Sequence, residues 1–152
     1  MSVLPVHERN RLGPLLAHTA RQWRRAVDRH LQPFGLTEAT WLPLLRIARA
    51  PHPMYQKDLA ASLSLDRSSV VRLLDALQLA GLIERREGQD RRTKAIVLTV
   101  LGQETVQRVE VVAREVRETV LTGLSPEDLS VTLRVLDHIA TVLSPCTEET
   151  GA

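Results

Sequence analysis

The stretch from Arg85 to Lys94 has residue types that point to a particular chemistry. It carries five basic side chains in ten residues and contains Gly88-Gln89-Asp90, a composition typical of a hairpin turn. A projecting basic hairpin can follow the phosphate backbone of DNA or enter a narrow minor groove, where the negative potential attracts arginine. The alternative is a charged, solvated hairpin without a partner, and this stretch by itself favours neither.

A helix that precedes this hairpin adds a second basic surface. We predict it over Arg67 to Ala80, with Arg67, Ser68, Ser69 and Arg72 exposed on its first turns. Small hydroxyl side chains allow close approach to the floor of a major groove, and arginine reaches guanine O6 and N7 or a phosphate. The helix and the hairpin together favour DNA binding. The predicted DNA-binding residues are Arg67, Ser68, Ser69, Arg72, Arg85, Asp90, Arg91, Arg92 and Lys94.

The elements that would position these residues are a helix, a turn and a helix, followed by a hairpin. A short helix from Gln56 to Leu63 and a tight Ser64-Leu65 connection lead to Asp66, which caps the next helix. Gly81 occupies the position where a left-handed residue ends that helix. The predicted strands are Leu82-Ile83 and Ala95 to Thr99.

Amphipathic helices are predicted on both sides of this segment. One spans about residues 10 to 31, and a second is capped by Thr37. Thr99 caps a long third helix, and Ser125-Pro126 starts the last one, with serine as N-cap and proline at the first helical position. Their predicted apolar stripes are Leu12, Leu15, Leu16, Trp23, Val27 and Leu31; Trp41, Leu44, Leu45 and Ala48; Leu101, Thr105, Val109, Val112, Val116 and Val120; and Leu129, Leu133, Leu136, Ala140 and Leu143.

The predicted fold is mostly α with a small β-wing. Residues 1–50 hold N-terminal dimerisation and linking helices, residues 51–98 a winged helix-turn-helix, residues 99–145 C-terminal dimerisation helices, and residues 146–152 a flexible tail. The winged segment is too small to cover every apolar stripe of the flanking helices, which predicts a homodimer. The alternative is a monomeric bundle in which those helices pack on one another.

Composition limits the possible classes of protein. A length of 152 residues, 43% of them hydrophobic and 3% aromatic, fits one soluble, helix-rich domain. Residues 1–50 hold 8 basic and 3 acidic side chains, residues 51–98 hold 8 and 6, and residues 99–152 hold 4 and 9, so an anionic partner suits one part only. The chain has one cysteine, Cys146, and no apolar run of about 20 residues. We expect a cytoplasmic, nucleoid-associated protein that does not bind membranes.

Motifs for metal binding or catalysis are not recognisable in the sequence. The five histidines show no HxxxH or HExxH spacing, and Cys146 has no basic cluster near it in sequence. GxSxG, GxxxxGK[ST] and a GxGxxG after a strand are all absent. We therefore expect no metal, no cofactor and no enzymatic activity.

Short motifs over about residues 12 to 143 carry a family resemblance. They are Leu12-Gly13, Arg21-Gln22-Trp23-Arg24, Leu36-Thr37-Glu38-Ala39-Thr40-Trp41, Asp58-Leu59-Ala60, Ser69-Val70-Val71-Arg72, Gly81-Leu82-Ile83-Glu84-Arg85, Asp90-Arg91-Arg92 and Leu98-Thr99. The wing pattern Asp-x-Arg before a Leu-Thr helix start is fairly specific in this order, whereas many families share the helix-turn-helix pattern. By these motifs the chain resembles the MarR family of winged-helix regulators, and within it the SlyA group.

The resemblance implies a homodimer with interlocked terminal helices, bound through two winged helices to a pseudo-palindromic operator in double-stranded DNA. It implies a repressor in which Arg92 enters the minor groove, Asp90 steadies the wing, and Ser69 and Arg72 lie on the recognition helix. SlyA-like proteins also antagonise nucleoid silencing, so the direction of regulation stays open. An architectural or anti-silencing factor without an effector, or a winged-helix module for protein contacts, is the alternative function.

The resemblance also implies a pocket for a small aromatic carboxylate or phenolic effector, enclosed by the first two helices and the start of the recognition helix. We predict that Leu15, Trp41 and Leu45 form its apolar wall and that Arg21 supplies the cation. The alternative is that Trp41 belongs to the core and that Arg21 pairs with an acid across a dimer.

Overall fold

The described chain forms six α-helices and three short strands. The computed structural model describes residues 4–87 and 93–144. Its elements are α1 (Val6–Leu31), a 3₁₀ turn (Gln32–Phe34), α2 (Glu38–Arg49), β1 (Met54–Tyr55), α3 (Gln56–Leu63), α4 (Arg67–Leu79), β2 (Ile83–Glu87), β3 (Lys94–Leu98), α5 (Val100–Leu121) and α6 (Pro126–Leu143). The predicted fold class, mostly helical with a small β-wing, is confirmed. Contacts divide the chain into two units, Met1–Arg117 and Glu118–Ala152.

The junctions around α4 follow the local signals of the sequence. Ser64 has a left-handed backbone (φ 53°) and reverses the chain between α3 and α4. The Asp66 carboxylate accepts a hydrogen bond from the Ser69 backbone N–H at 2.7 Å, which confirms the predicted N-cap. Gly81 (φ +74°) ends α4, and Leu82 donates to the Leu77 carbonyl oxygen at 3.0 Å, as in a Schellman motif.

The strands form one antiparallel sheet in the order β1, β3, β2. Ile83 pairs with Leu98 and Glu87 with Lys94, so β2 starts one residue later and runs four residues further than the sequence predicted. Strand β1 was missed by the sequence analysis because two residues are too short to show the alternation of a strand.

Two hydrophobic cores hold the unit Met1–Arg117 together. The first core joins α2, α3, α4, the sheet and the start of α5, and its buried residues include Leu44, Leu59, Leu74, Ile83 and Ile96. The second core joins α1, α2 and α5, and its buried residues are Val27, Leu31, Trp41, Leu45, Val109, Val112 and Val116. On α2 the predicted stripe is wrong at one position, because Ala48 is exposed and Ile47 is buried instead.

The predicted apolar stripe of α5 is wrong at both of its ends. Leu101 and Val120 are 51% and 46% exposed, whereas Gly102 and Val106 are buried. Gly102 is buried because the first turn of α5 crosses the chain just after α4, where a Cβ on Gly102 would overlap the Leu82 carbonyl oxygen. A residue that must be small gives no hydrophobic signal, so the sequence pattern selects its larger neighbour.

Helix α1 is amphipathic along its length but buried only at its end. Val27 and Leu31 are buried in the second core, while Leu12 and Leu15 are 47% and 52% exposed. The predicted stripe is therefore covered by this chain only in its C-terminal part.

The unit Glu118–Ala152 contains the end of α5 and helix α6. The predicted start of α6 is confirmed, because Ser125 Oγ accepts from the Asp128 backbone N–H at 3.0 Å and Pro126 is the first helical residue. The predicted buried face is wrong for the single chain, since α6 has no buried residue. Its leucines Leu133 and Leu143 are 53% and 76% exposed.

Two searches of the described residues concern membranes and metals. None of the helices there has the length of apolar sequence that a bilayer crossing requires. The same residues contain no cluster of three or more His, Cys, Asp or Glu side chains placed to hold a metal ion. Cys146 lies outside the described residues.

Candidate nucleic-acid interface

The first turn of α4 combines exposed cations with a cap that occupies two serines. Arg67, Ser68 and Arg72 are exposed and Ser69 is half-buried. The Asp66 carboxylate accepts from the Ser69 N–H at 2.7 Å and from Ser68 Oγ at 3.2 Å, and these hydrogen bonds lower the pKa of Asp66 below its ordinary value. The arginines are thus presented on a helix start that a charged cap fixes.

A cleft beside α4 collects basic side chains from three parts of the fold. Its volume is about 630 Å³, and Lys57 from α3, Arg67 from α4, and Arg85 and Lys94 from the two wing strands all line it. Sequence analysis predicted three of these four and missed Lys57. The signal that could have found it is its place in the first turn of α3, but an isolated lysine outside the basic run does not stand out.

Arg85 differs from the other cations of the cleft because its guanidinium is engaged within the chain. Its Nη2 donates to Asp75 Oδ1, and its Nε donates to Gln78 Oε1 at 2.7 Å. The neighbouring Arg86 instead pairs with Glu84, donating from Nη2 to Oε2 at 2.9 Å. Both wing arginines therefore already have acidic partners in the single chain.

The predicted residues at the wing tip fall in a gap of the structure. Asp90, Arg91 and Arg92 lie outside the described residues. The described strands end at Glu87 and begin again at Lys94, which face each other across the hairpin as a pair of opposite charges.

The four residues predicted for an effector pocket separate into two pairs. Trp41 is 2% exposed, and its Nε1 donates to Asp28 Oδ1 at 3.2 Å, while Leu45 lies in the same second core. Leu15 and Arg21 are exposed on α1. Leu15 lies twelve residues before Val27, which packs in the core with Trp41, a separation of about 18 Å along the helix. The single chain thus does not bring Leu15 next to Trp41.

A cavity of about 390 Å³ lies where the resemblance implies an effector pocket, but with other residues. Its lining comes from α1, α2, the end of α3, the turn after it, and α4: Arg24, Glu38, Ala39, Leu42, Pro43, Leu63, Leu65, Ser69 and Leu73. Arg24 Nε lies 3.7 Å from Glu38 Oε1, so the cavity has one cation, one acid and mostly aliphatic walls. Arg24 sits in a run of arginines on α1, and the sequence does not distinguish it from Arg21.

Comparison with known proteins gives consistent matches. The model of the MarR family matches residues 34–93. The crystal structure of transcriptional regulator PA3341 is 39% identical, with coverage of 87% of this chain and 97% of that chain and a TM-score of 0.81. AbsC, a MarR family transcriptional regulator from Streptomyces coelicolor, is 27% identical over 94% of this chain and 98% of its own, with a TM-score of 0.76.

A DNA complex is also among the similar structures. MepR of S. aureus, solved with DNA, is 25% identical, with coverage of 88% of this chain and 98% of its own and a TM-score of 0.75. Together with the winged helix and its basic α4, these matches identify the chain: it belongs to the MarR family of DNA-binding transcriptional regulators.

Proposed function

We propose that this protein is a homodimeric repressor without catalytic activity that binds a pseudo-palindromic operator on chromosomal DNA in the cytoplasm. Each subunit places α4 in a major groove and its wing along the adjacent minor groove. The observation that carries the proposal is the basic cleft, because Lys57, Arg67 and Lys94 converge there from three elements. In the part of the chain that the structure describes, no acidic side chain forms an ion pair with these three residues.

The remaining roles in this proposal come from the family resemblance. Arg92 inserts into the minor groove, Asp90 and Arg91 belong to the wing tip, and Ser69 and Arg72 belong to the recognition helix. Two helices related by a two-fold axis read half-sites about one helical turn apart, which gives a protected region of roughly 20 base pairs. The likeness to the SlyA group, and with it activation by antagonising nucleoid silencing, is the alternative direction of regulation.

The cleft is tested on a duplex that the wild-type protein selects from a randomised pool. Lys57→Ala, Arg67→Ala and Lys94→Ala should each weaken binding, and each should lower the slope of log affinity against log salt by about one, because each loses a phosphate contact. Arg46→Ala is the matched control, since Arg46 is exposed on α2 and does not line the cleft. Wild-type slopes in all three cleft variants would contradict the proposal.

The homodimer is supported by two apolar surfaces that the chain leaves exposed. The N-terminal half of α1 exposes Leu12 and Leu15, and α6 exposes Leu133, Leu136 and Leu143 at 37% or more. An isolated amphipathic helix in water gains little stability from its own apolar stripe, so a covering partner is needed. Sedimentation that gives the mass of one chain at micromolar concentration would contradict the dimer.

The proposal includes an effector that releases the repressor from DNA. The cavity of about 390 Å³ has the size and the mostly apolar walls of a site for a small aromatic carboxylate, and Arg24 supplies its cation. A ligand there contacts Ser69 and Leu73 of the recognition helix, so it can favour an arrangement of α4 that does not fit DNA.

Salicylate is a suitable probe for this pocket. It should weaken DNA binding, and DNA should weaken salicylate binding by the same factor, because the linkage is reciprocal. Arg24→Gln should abolish the response, while Arg21→Gln, a matched loss of charge on the exposed surface of α1, should keep it. Loss of the response in Arg21→Gln alone would instead support the pocket residues predicted from the sequence.

A further inference from the structure

We propose that Arg85 is a positioning residue, which holds the wing against the recognition helix instead of contacting DNA. This inference rests on the proposed DNA interface and assigns one of its predicted residues a different task. The two contacts that carry it are the ion pair with Asp75 and the hydrogen bond with Gln78, both on α4.

The alternation of strand β2 directs Arg85 toward α4. Ile83 is 1% exposed in the first core, and Arg85, two residues later, lies on the same face of the strand with its side chain 23% exposed. Glu84 and Arg86 occupy the opposite face, where their side chains are 53% and 66% exposed and pair with each other. The pleat therefore separates two adjacent arginines into an inner and an outer one.

Helix α4 offers Arg85 two acceptors that are three residues apart. Residues at this spacing share one face of a helix, so Asp75 and Gln78 can both receive hydrogen bonds from a single planar guanidinium. Nε and Nη2 are used together, which fixes the direction of the guanidinium as well as its distance from α4. Lysine has a single ammonium group without this fork and could not reproduce the contact.

The position of the clamp along the hairpin gives it a task. Arg85 pairs with Ile96 across the sheet, between the buried base at Ile83 and the outer pair formed by Glu87 and Lys94. Beyond the base, β2 has no buried residue. The Arg85 contacts thus attach the outer part of the wing to α4, so that the helix and the wing meet their two grooves in one fixed relation.

Asp75→Asn separates positioning from direct DNA contact. If Arg85 bound a phosphate, this variant would free Arg85 and remove a negative charge near DNA, so affinity would stay the same or rise. If Arg85 positions the wing, affinity for the selected duplex should fall about tenfold, as expected for breaking one member of a coupled network. Glu84→Gln is the matched control, because it also removes one acid and frees one arginine, but on the outer face; its affinity should not fall.

Two further measurements keep the proposal falsifiable. Arg85→Gln should weaken binding without changing the salt slope, and the Asp75→Asn, Arg85→Gln double variant should bind no worse than the weaker single variant. If Asp75→Asn does not fold, Gln78→Ala keeps the ion pair and should show a smaller loss of affinity with an unchanged salt slope.

Asp75→Asn binding as tightly as wild type, or a salt slope lowered by about one in Arg85→Gln, would overturn the proposal. A failure of the DNA interface itself is recognised separately, because Arg67→Ala would then also bind like wild type.

Discussion

Helices α4 and α6 begin with the same kind of cap, yet their apolar faces have opposite fates. Asp66 and Ser125 each accept a hydrogen bond from the backbone N–H three residues later. Helix α4 has Val70, Leu74 and Leu77 buried by its neighbours, whereas α6, although five residues longer, has no buried residue. A cap and an apolar stripe thus determine that a helix forms and which face seeks cover, but not what covers it.

The difference between α4 and α6 predicts two kinds of response to the same truncation. Leu74→Ala, at a position with 0% exposure, should lower the free energy of unfolding by about 2 to 5 kcal/mol, because it leaves a cavity in the first core. Leu133→Ala, at 53% exposure, should change the free energy of unfolding of the dissociated chain by less than about 0.5 kcal/mol. Urea unfolding at concentrations below the dimer dissociation constant measures both.

The same pair of variants sharpens the comparison when the protein concentration is raised. Wild-type stability should then increase with concentration, and Leu133→Ala should reduce that increase, since only a partner chain makes Leu133 a contact. A concentration-independent loss in Leu133→Ala as large as that of Leu74→Ala would show that α6 is covered within its own chain.

A second prediction compares two helical glycines. Gly102→Ala should lower the free energy of unfolding by about 3 kcal/mol, because the new Cβ meets the Leu82 backbone carbonyl, which no side-chain rotation can relieve. Gly13→Ala in α1 is the matched control: nothing lies within 4 Å of its Cβ position, and alanine should stabilise the helix by up to about 1 kcal/mol. Equal effects of the two substitutions in thermal unfolding would contradict the tight crossing at Leu82.

The smallest predicted effect concerns the ion pair that joins α2 to α5. Arg49 donates from Nε and Nη2 to the two carboxylate oxygens of Glu110 at 2.9 and 2.8 Å, and these hydrogen bonds lower the pKa of Glu110 below its ordinary value. A lowered pKa means that the pair stabilises the fold above the unfolded pKa, and that this contribution is lost as the pH falls through the folded pKa.

Glu110→Gln should therefore cost less than about 1 kcal/mol at neutral pH, since both side chains are about one-third exposed or more. The difference from wild type should disappear once the pH is well below about 4. Thermal unfolding from neutral to acidic pH measures it, and a difference that persists unchanged in acid would exclude the assigned charge pair.

The parts that the sequence predicted well are those set by local chemistry. The N-caps at Asp66 and Ser125, the bounds of α3 and the left-handed Gly81 each depend on a few adjacent residues, and the structure confirms them. The errors occur where the partner decides. Gly102 is buried because another backbone crosses it, and the stripe of α6 is exposed because its own chain does not cover it.

The candidate site shows the same division. The exposed cations of α4 and the wing strands were predicted from their density, whereas Lys57 joins them only through the fold. Trp41 has the residue type of a pocket wall, but its indole N–H satisfies Asp28 and its ring fills the second core. Sequence alone cannot separate an aromatic that awaits a ligand from one that packs against its neighbours.

The connection between the wing and α5 has no slack, which makes α5 a mechanical lever. Only Thr99 separates β3 from α5; its N–H is bonded to the Leu82 carbonyl at 3.1 Å and its hydroxyl to the Gly81 carbonyl at 2.5 Å. From Val100 to Arg117 the helix is a rod of about 27 Å. A displacement of about 5 Å at the far end of this rod rotates its first turn by about ten degrees, and the strand fixed to that turn must follow.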